Sequence, residues 1–139
     1  MATYNKFQDF VEQVGKGVHN FSSHTFKVAL TNSAPVATNT ILSDITQISN
    51  GNGYTTGGTA TTITYTESSG TAKCVGTDVV FTASGSMGPF RYAVLYNDTA
   101  TSPADALIAW WDYGSSVTLA TGETFTVDFD GTNGIFQLA

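Results

Sequence analysis

The chain has 139 residues, of which 41% are hydrophobic and only 12% charged, with one cysteine and a formal net charge of −6. That length and apolar content suit one domain over residues 1–139 with its own core, and they exclude a disordered chain, which pairs low hydrophobicity with high charge. Five scattered Lys and Arg against eleven Asp and Glu exclude a basic nucleic-acid-binding face and disfavour an anionic membrane surface, and the lone Cys74 excludes an intrachain disulfide.

The first predicted element is a helix within an N-terminal segment, 1–20. Phe7, Phe10, Val11, Val14 and Val18 recur at the spacing of one helical face. Asn5 is the expected N-cap, with Gln8 completing a capping box. Asp9 and Glu12 suit the positive end of the dipole, and Gly15 and Gly17 supply the stop. So short a helix needs a surface to pack on, either its own sheet or a neighbouring subunit.

A β domain is expected over 24–139. From His24 to Thr31, Phe26, Val28 and Leu30 alternate with Thr25, Lys27 and Ala29, which predicts a strand ended by Asn32-Ser33-Ala34-Pro35. Leu42, Ile45 and Ile48 have helical spacing, so a short helix is expected over about 41–48. Asn50 to Gly58 is a glycine- and asparagine-rich loop that can turn sharply more than once. Strand patterns follow at Ile63 and Tyr65, Lys73 and Val75, and Val79 and Phe81. Gly85 to Pro89 reads as a turn. Phe90, Tyr92, Val94 and Tyr96 share one strand face, while Leu107 to Tyr113 is apolar on both faces and is expected to lie centrally. If that strand is extended, Trp110 and Trp111 point to opposite faces. Val117 and Leu119 precede a turn at Thr121-Gly122, and Phe125, Val127 and Phe129 alternate with polar residues. A hairpin-type turn over 130–134 then leads to Ile135, Phe136 and Leu138. Seven or eight short strands with frequent turns predict a mainly β fold, an antiparallel β-sandwich or jelly-roll-like domain with an N-terminal amphipathic α-helix. The 23 threonines fit a pleated, half-exposed surface, and they cost less to desolvate in an interface than Lys or Glu.

Candidate chemistry is sparse. His19 and His24 have no Cys, Asp or Glu close in sequence to complete a metal site, and the expected role is hydrogen bonding in a loop. Cys74 sits in a strand pattern as a small apolar residue. Asp128, Asp130 and Asn133 resemble a calcium loop without its spacing or terminal Glu, so an Asx-type turn is the better reading. Trp110, Trp111 and Tyr113 have the faces that stack on sugars, but their apolar strand favours core packing. No phosphate loop, dinucleotide fingerprint or Gly-x-Ser-x-Gly elbow is present, so no cofactor, metal or catalytic residue is expected.

Several strings carry a resemblance when taken in order. They are Tyr4-Asn5-Lys6-Phe7, Lys27 to Pro35, Gly51 to Gly58, Gly88 to Asp98, Trp110 to Ser115 and Gly122-Glu123-Thr124-Phe125. Together they resemble a family of small virion structural proteins encoded by tailed bacteriophages, over nearly the whole chain. The resemblance implies a non-enzymatic capsid decoration, or cement, protein, with a tail or fibre component as the alternative. It implies the major capsid protein as partner, a homo-oligomer (a trimer matching a local threefold axis, or a dimer), and the outer surface of the head as location, after synthesis in the host cytoplasm. No nucleic-acid or membrane partner is expected. From the residues themselves, the expected contacts are Phe7, Phe10 and Val11 on the helix and Tyr54 in the glycine-rich loop. A carbohydrate-binding module, using exposed aromatics such as Trp111 or Tyr54, is the reading from a different class.

Overall fold

The computed structural model describes residues 2–139. In chain order the elements are β1 (Asn5–Lys6), α1 (Asp9–Gly15), β2 (Phe26–Thr31), a 3-10 turn (Leu42–Asp44), β3 (Thr59–Thr61), β4 (Ile63–Ser68), β5 (Thr71–Gly76), β6 (Val79–Thr82), β7 (Met87–Asn97), β8 (Leu107–Leu119), β9 (Thr124–Val127) and β10 (Phe136–Leu138). A five-stranded sheet has the order β1-β8-β7-β2-β3, and smaller sheets have the orders β10-β5-β4 and β6-β9. All the paired strands are antiparallel. The chain is therefore mainly β, an antiparallel sandwich with one short N-terminal helix.

Side-chain alternation decides which layer each residue joins. On β2, Phe26, Val28 and Leu30 enter the main core, where Ala93 and Leu95 of β7 meet Cys74, Val79, Phe81 and Val127 from the small sheets. The intervening Ala29, with Val94 and Tyr96, faces the other way into a second core that also holds Phe7, Leu42, Ile45 and Leu107. The large sheet is thus buried on both faces, one by the small sheets and the other by the N-terminal strand end and the 32–58 connection. Fully burying each such aliphatic or aromatic side chain contributes roughly 1.5–3 kcal/mol. Trp110 and Trp111 do point to opposite faces: Trp110 packs on Phe7 at a 4.6 Å ring separation, and Trp111 on Phe129 at 5.4 Å.

The N-terminal helix is present but shorter than expected, and it begins after the expected cap at Asn5. Asn5 pairs with Trp110 in β1, and the Phe7 N–H donates to Ile108 O at 3.1 Å, so the chain stays extended through Phe7. The helix begins at Asp9 behind Gln8, without a side-chain cap. Consequently Phe7 and Phe10 do not share a stripe. Phe7 lies in the second core and Phe10 in the main one.

Four other local expectations change. The 41–48 segment holds only the 3-10 turn, because Ile41 bridges Ala106 and Gln47 bridges Thr31, pinning both ends in extended pairing. The turn at 130–134 is not a hairpin. β9 pairs with β6 and β10 with β5, so the loop carries the chain from one small sheet to the other. Met87 and Pro89 belong to β7, leaving the bend at Ser84-Gly85. The 107–113 strand lies next to the sheet edge, where the two residues of β1 cover only Ala109 and Trp110.

Candidate functional site

A groove opens where the large sheet and the β6–β9 pair splay apart. It begins with a mismatch between β7 and β8. Phe90 pairs with Val117 and Tyr92 with Asp112, so one intervening residue of β7 opposes four of β8. The surplus, Tyr113 to Ser116, bulges outward, and Gly114 supports the bend at φ +102°. Its N–H is taken by Asp112 Oδ1 at 2.8 Å.

The bulge leaves Tyr113 58% exposed, with its ring edge-to-face on Phe125 at 5.3 Å. Tyr4 stands edge-on to Trp111 at 6.0 Å, and Trp111 in turn meets Phe129. These five rings wall a cavity of about 580 Å³, with Arg91, Asp128 and Asp130 among its polar lining. Burial pushes the Tyr4 hydroxyl up to about 12, so it stays a neutral donor and acceptor.

The polar groups of the rim are anchored. Arg91 makes a two-point contact with Asp112, Nε to Oδ1 at 2.8 Å and Nη2 to Oδ2 at 3.0 Å. That guanidinium, and then the Gly114 N–H, hold the Asp112 carboxyl below the usual carboxylate range. Asp130 is also held low, first by the Asn133 backbone N–H, then by the Asn133 side chain and the Thr132 N–H. A carboxyl held as an anion is a poor general acid near neutral pH. The arrangement is suited to binding: aromatic faces beside planar, fixed hydrogen-bonding groups.

The residues expected to make contacts are not gathered into one surface. Phe7, Phe10 and Tyr54 are buried inside the chain, while Val11 is 57% exposed on α1. The Tyr54 hydroxyl donates to Gln47 Oε1 at 2.5 Å and accepts the Leu30 N–H at 3.2 Å. His19 and His24 do come together, both on the side chain of Asn97. Cys74 is buried with its thiol pushed up to about 12 by desolvation, far from a reactive thiolate. The Asp130 loop is an Asx-type turn, with Oδ1 accepting the N–H groups of Thr132 and Asn133 at 2.8 Å. Among the described residues no cluster of three or more His, Cys, Asp or Glu is placed to hold a metal ion. Tyr4, Arg91 and Phe125 were not singled out from sequence, because the groove is made by a register mismatch that no short motif encodes.

No family model, curated protein or solved structure matches this chain.

Proposed function

We propose that the chain is a non-enzymatic structural protein of a tailed-bacteriophage virion, a decoration protein that binds the outside of the assembled head and stabilises it. The observation that carries this reading is the ordered series of strings from Tyr4-Asn5-Lys6-Phe7 to Gly122-Glu123-Thr124-Phe125, which resembles such proteins over nearly the whole chain. The fold adds physical support. Its outer strands carry exposed threonines at Thr59, Thr64, Thr66, Thr82, Thr124 and Thr126, a surface cheap to desolvate against a partner. Many copies on a repeating lattice gain avidity without high affinity per copy. In this reading the major capsid protein is the partner, and the chain works as a homo-oligomer, a trimer on a local threefold axis or a dimer. The test is to compare particles with and without it. Heads lacking it rupture at lower temperature or lower ionic strength and regain robustness when the purified protein is added back. Equal robustness without it overturns the reading.

A second reading is favoured by the groove. Tyr4, Trp111, Tyr113 and Phe125 beside Asp128 are the elements with which proteins hold saccharides, stacking on ring faces and hydrogen-bonding to hydroxyls. It predicts that host-surface glycans quench or shift Trp111 fluorescence and that Tyr113→Ala abolishes the effect. Unchanged fluorescence across a glycan panel removes this reading and leaves the first intact.

A further inference from the structure

Asn97 ends β7 with its side chain fully buried. Its Oδ1 accepts the N–H groups of Thr99 at 3.0 Å and Ala100 at 3.2 Å. These two donors fix which end of the amide is oxygen, so Nδ2 is turned toward the two histidines. It lies 3.0 Å from His19 Nδ1 and 3.0 Å from His24 Nδ1. An amide nitrogen offers two hydrogens and no lone pair. Both imidazoles must therefore present a bare Nδ1 and carry their proton on Nε2. His24 Nδ1 faces a second donor as well, the Asn20 N–H at 3.3 Å.

The surroundings leave no room for a charge. His19 is 9% exposed, its ring stacks on Phe21 and lies near Phe10 and Phe26, and its Nε2 has no hydrogen-bond partner. A proton on Nδ1 of either ring would set N–H against N–H and place a cation beside the other imidazole. From α1 the one charge that acts on His19 is Asp9, whose attraction is outweighed by burial and by His24. Glu12 on the same helix and Lys16 just after it pair with each other in solvent. On the sheet side the neighbouring charges, Lys27 of β2 and Asp98 after β7, are paired at 3.2 Å. Tyr65 of β4 and Phe136 of β10, which pack on Phe21, bring no carboxylate.

We propose that His19, Asn97 and His24 form an acid-labile clasp that ties the 16–25 segment to the end of β7 and releases it when the buried His19 imidazole takes a proton. The release is local. The clasp joins a connection held by turn hydrogen bonds, such as Val18 N–H to Gln13 O and His24 N–H to Asn20 O, to strands paired along their length. It changes the surface next to α1, where Val11 is exposed, without dismantling the sandwich.

The first experiment reads the tautomers in the unmodified protein, by long-range nitrogen–proton correlation at pH 7.5. Both rings are expected as Nε2–H, and an Nδ1–H ring at either position overturns the proposal. The second follows amide protection factors as pH falls. Between pH 7.5 and 4, Val18 and His24 lose tenfold or more, and throughout they stay less protected than Val28 and Val94, which exchange only when the whole sandwich opens. Unchanged protection at Val18 and His24, or protection there equal to that at Val28 and Val94, overturns it. The third uses Asn97→Asp, which keeps the shape but offers a carboxylate oxygen to a protonated Nδ1. Its opening midpoint moves down by at least one pH unit, and a midpoint equal to that of the parent chain contradicts the clasp. If this variant fails to fold, the two measurements on the parent chain decide.

Discussion

The hydroxyl of Tyr54 accepts the backbone N–H of Leu30 at 3.2 Å, at the point where β3 no longer covers β2. β3 pairs with β2 only as far as Val28, and beyond it Ile48 donates to Leu30 O at 3.0 Å. Tyr54 and Ile48 thus continue the ladder that the strand leaves open. Tyr54→Phe keeps the ring and orphans a buried N–H, an expected loss of about 1–3 kcal/mol. Urea unfolding measures it, and an unchanged midpoint would mean that another group or water satisfies Leu30.

Two glycines with similar backbone angles give opposite expectations. Gly58 has φ +79° and Gly70 has φ +83°. A Cβ on Gly58 would overlap the Val28 carbonyl, whereas a Cβ on Gly70 meets nothing within 4 Å. Gly70→Ala is expected to cost about 1–2 kcal/mol from the left-handed backbone alone. Gly58→Ala adds displacement of the loop from β2 and is expected to cost more than twice as much, or to prevent folding. Parallel thermal melts compare them, and equal losses would mean that Gly58 does not press against the Val28 carbonyl.

The N-terminal aromatics act on stability before they act on any partner. Phe7→Ala and Phe10→Ala are each expected to cost about 3–5 kcal/mol. Because they occupy separate cores, the losses add. Val11→Ala, at an exposed position, stays within about 0.5 kcal/mol. Contact with a partner is therefore tested at Val11, and a stability loss there as large as at Phe10 would contradict the placement of α1.

This segment also shows what was legible in the chain. The mainly β class followed from period-two alternation at Phe26-Val28-Leu30 and along Phe90 to Tyr96, although the bulge after Phe90 turns it into the main core, opposite to Val94 and Tyr96. The opposed faces of Trp110 and Trp111 followed from adjacency in a strand. Those are local properties. The helical spacing of Phe7 with Phe10 was coincidental, because pairing with β8 holds Phe7 in extended chain. Leu42, Ile45 and Ile48 misled for the same reason, since bridges to Ala106 and Thr31 override local periodicity. The groove depends on how many residues of β8 oppose each stretch of β7, a long-range count that composition and spacing do not carry.

Acid is expected to weaken the fold in two steps. Burial, and then His24, lower the His19 pKa from 6.5 to about 4, so the stability it contributes is full above pH 6.5 and drains away as pH falls toward 4. By linkage the loss reaches about 2–3 kcal/mol by pH 4.5. Asp112 and Asp130 are held below their ordinary values, so their contribution is full above the usual carboxylate range and is lost as pH falls through it toward their lowered values. Urea midpoints at pH 7 and 4.5 check the first step. A chain with His19→Phe that folds and loses the same amount would assign the step elsewhere.

The most direct test of the decoration reading is a count of copies on purified heads. Heads stripped of the protein are mixed with increasing amounts of the pure chain, and the bound copies per head are measured at saturation. A decoration protein saturates at a number commensurate with the capsid's symmetry sites, with heat resistance rising in step. No saturable binding to heads, or saturation without any gain in heat resistance, would contradict it.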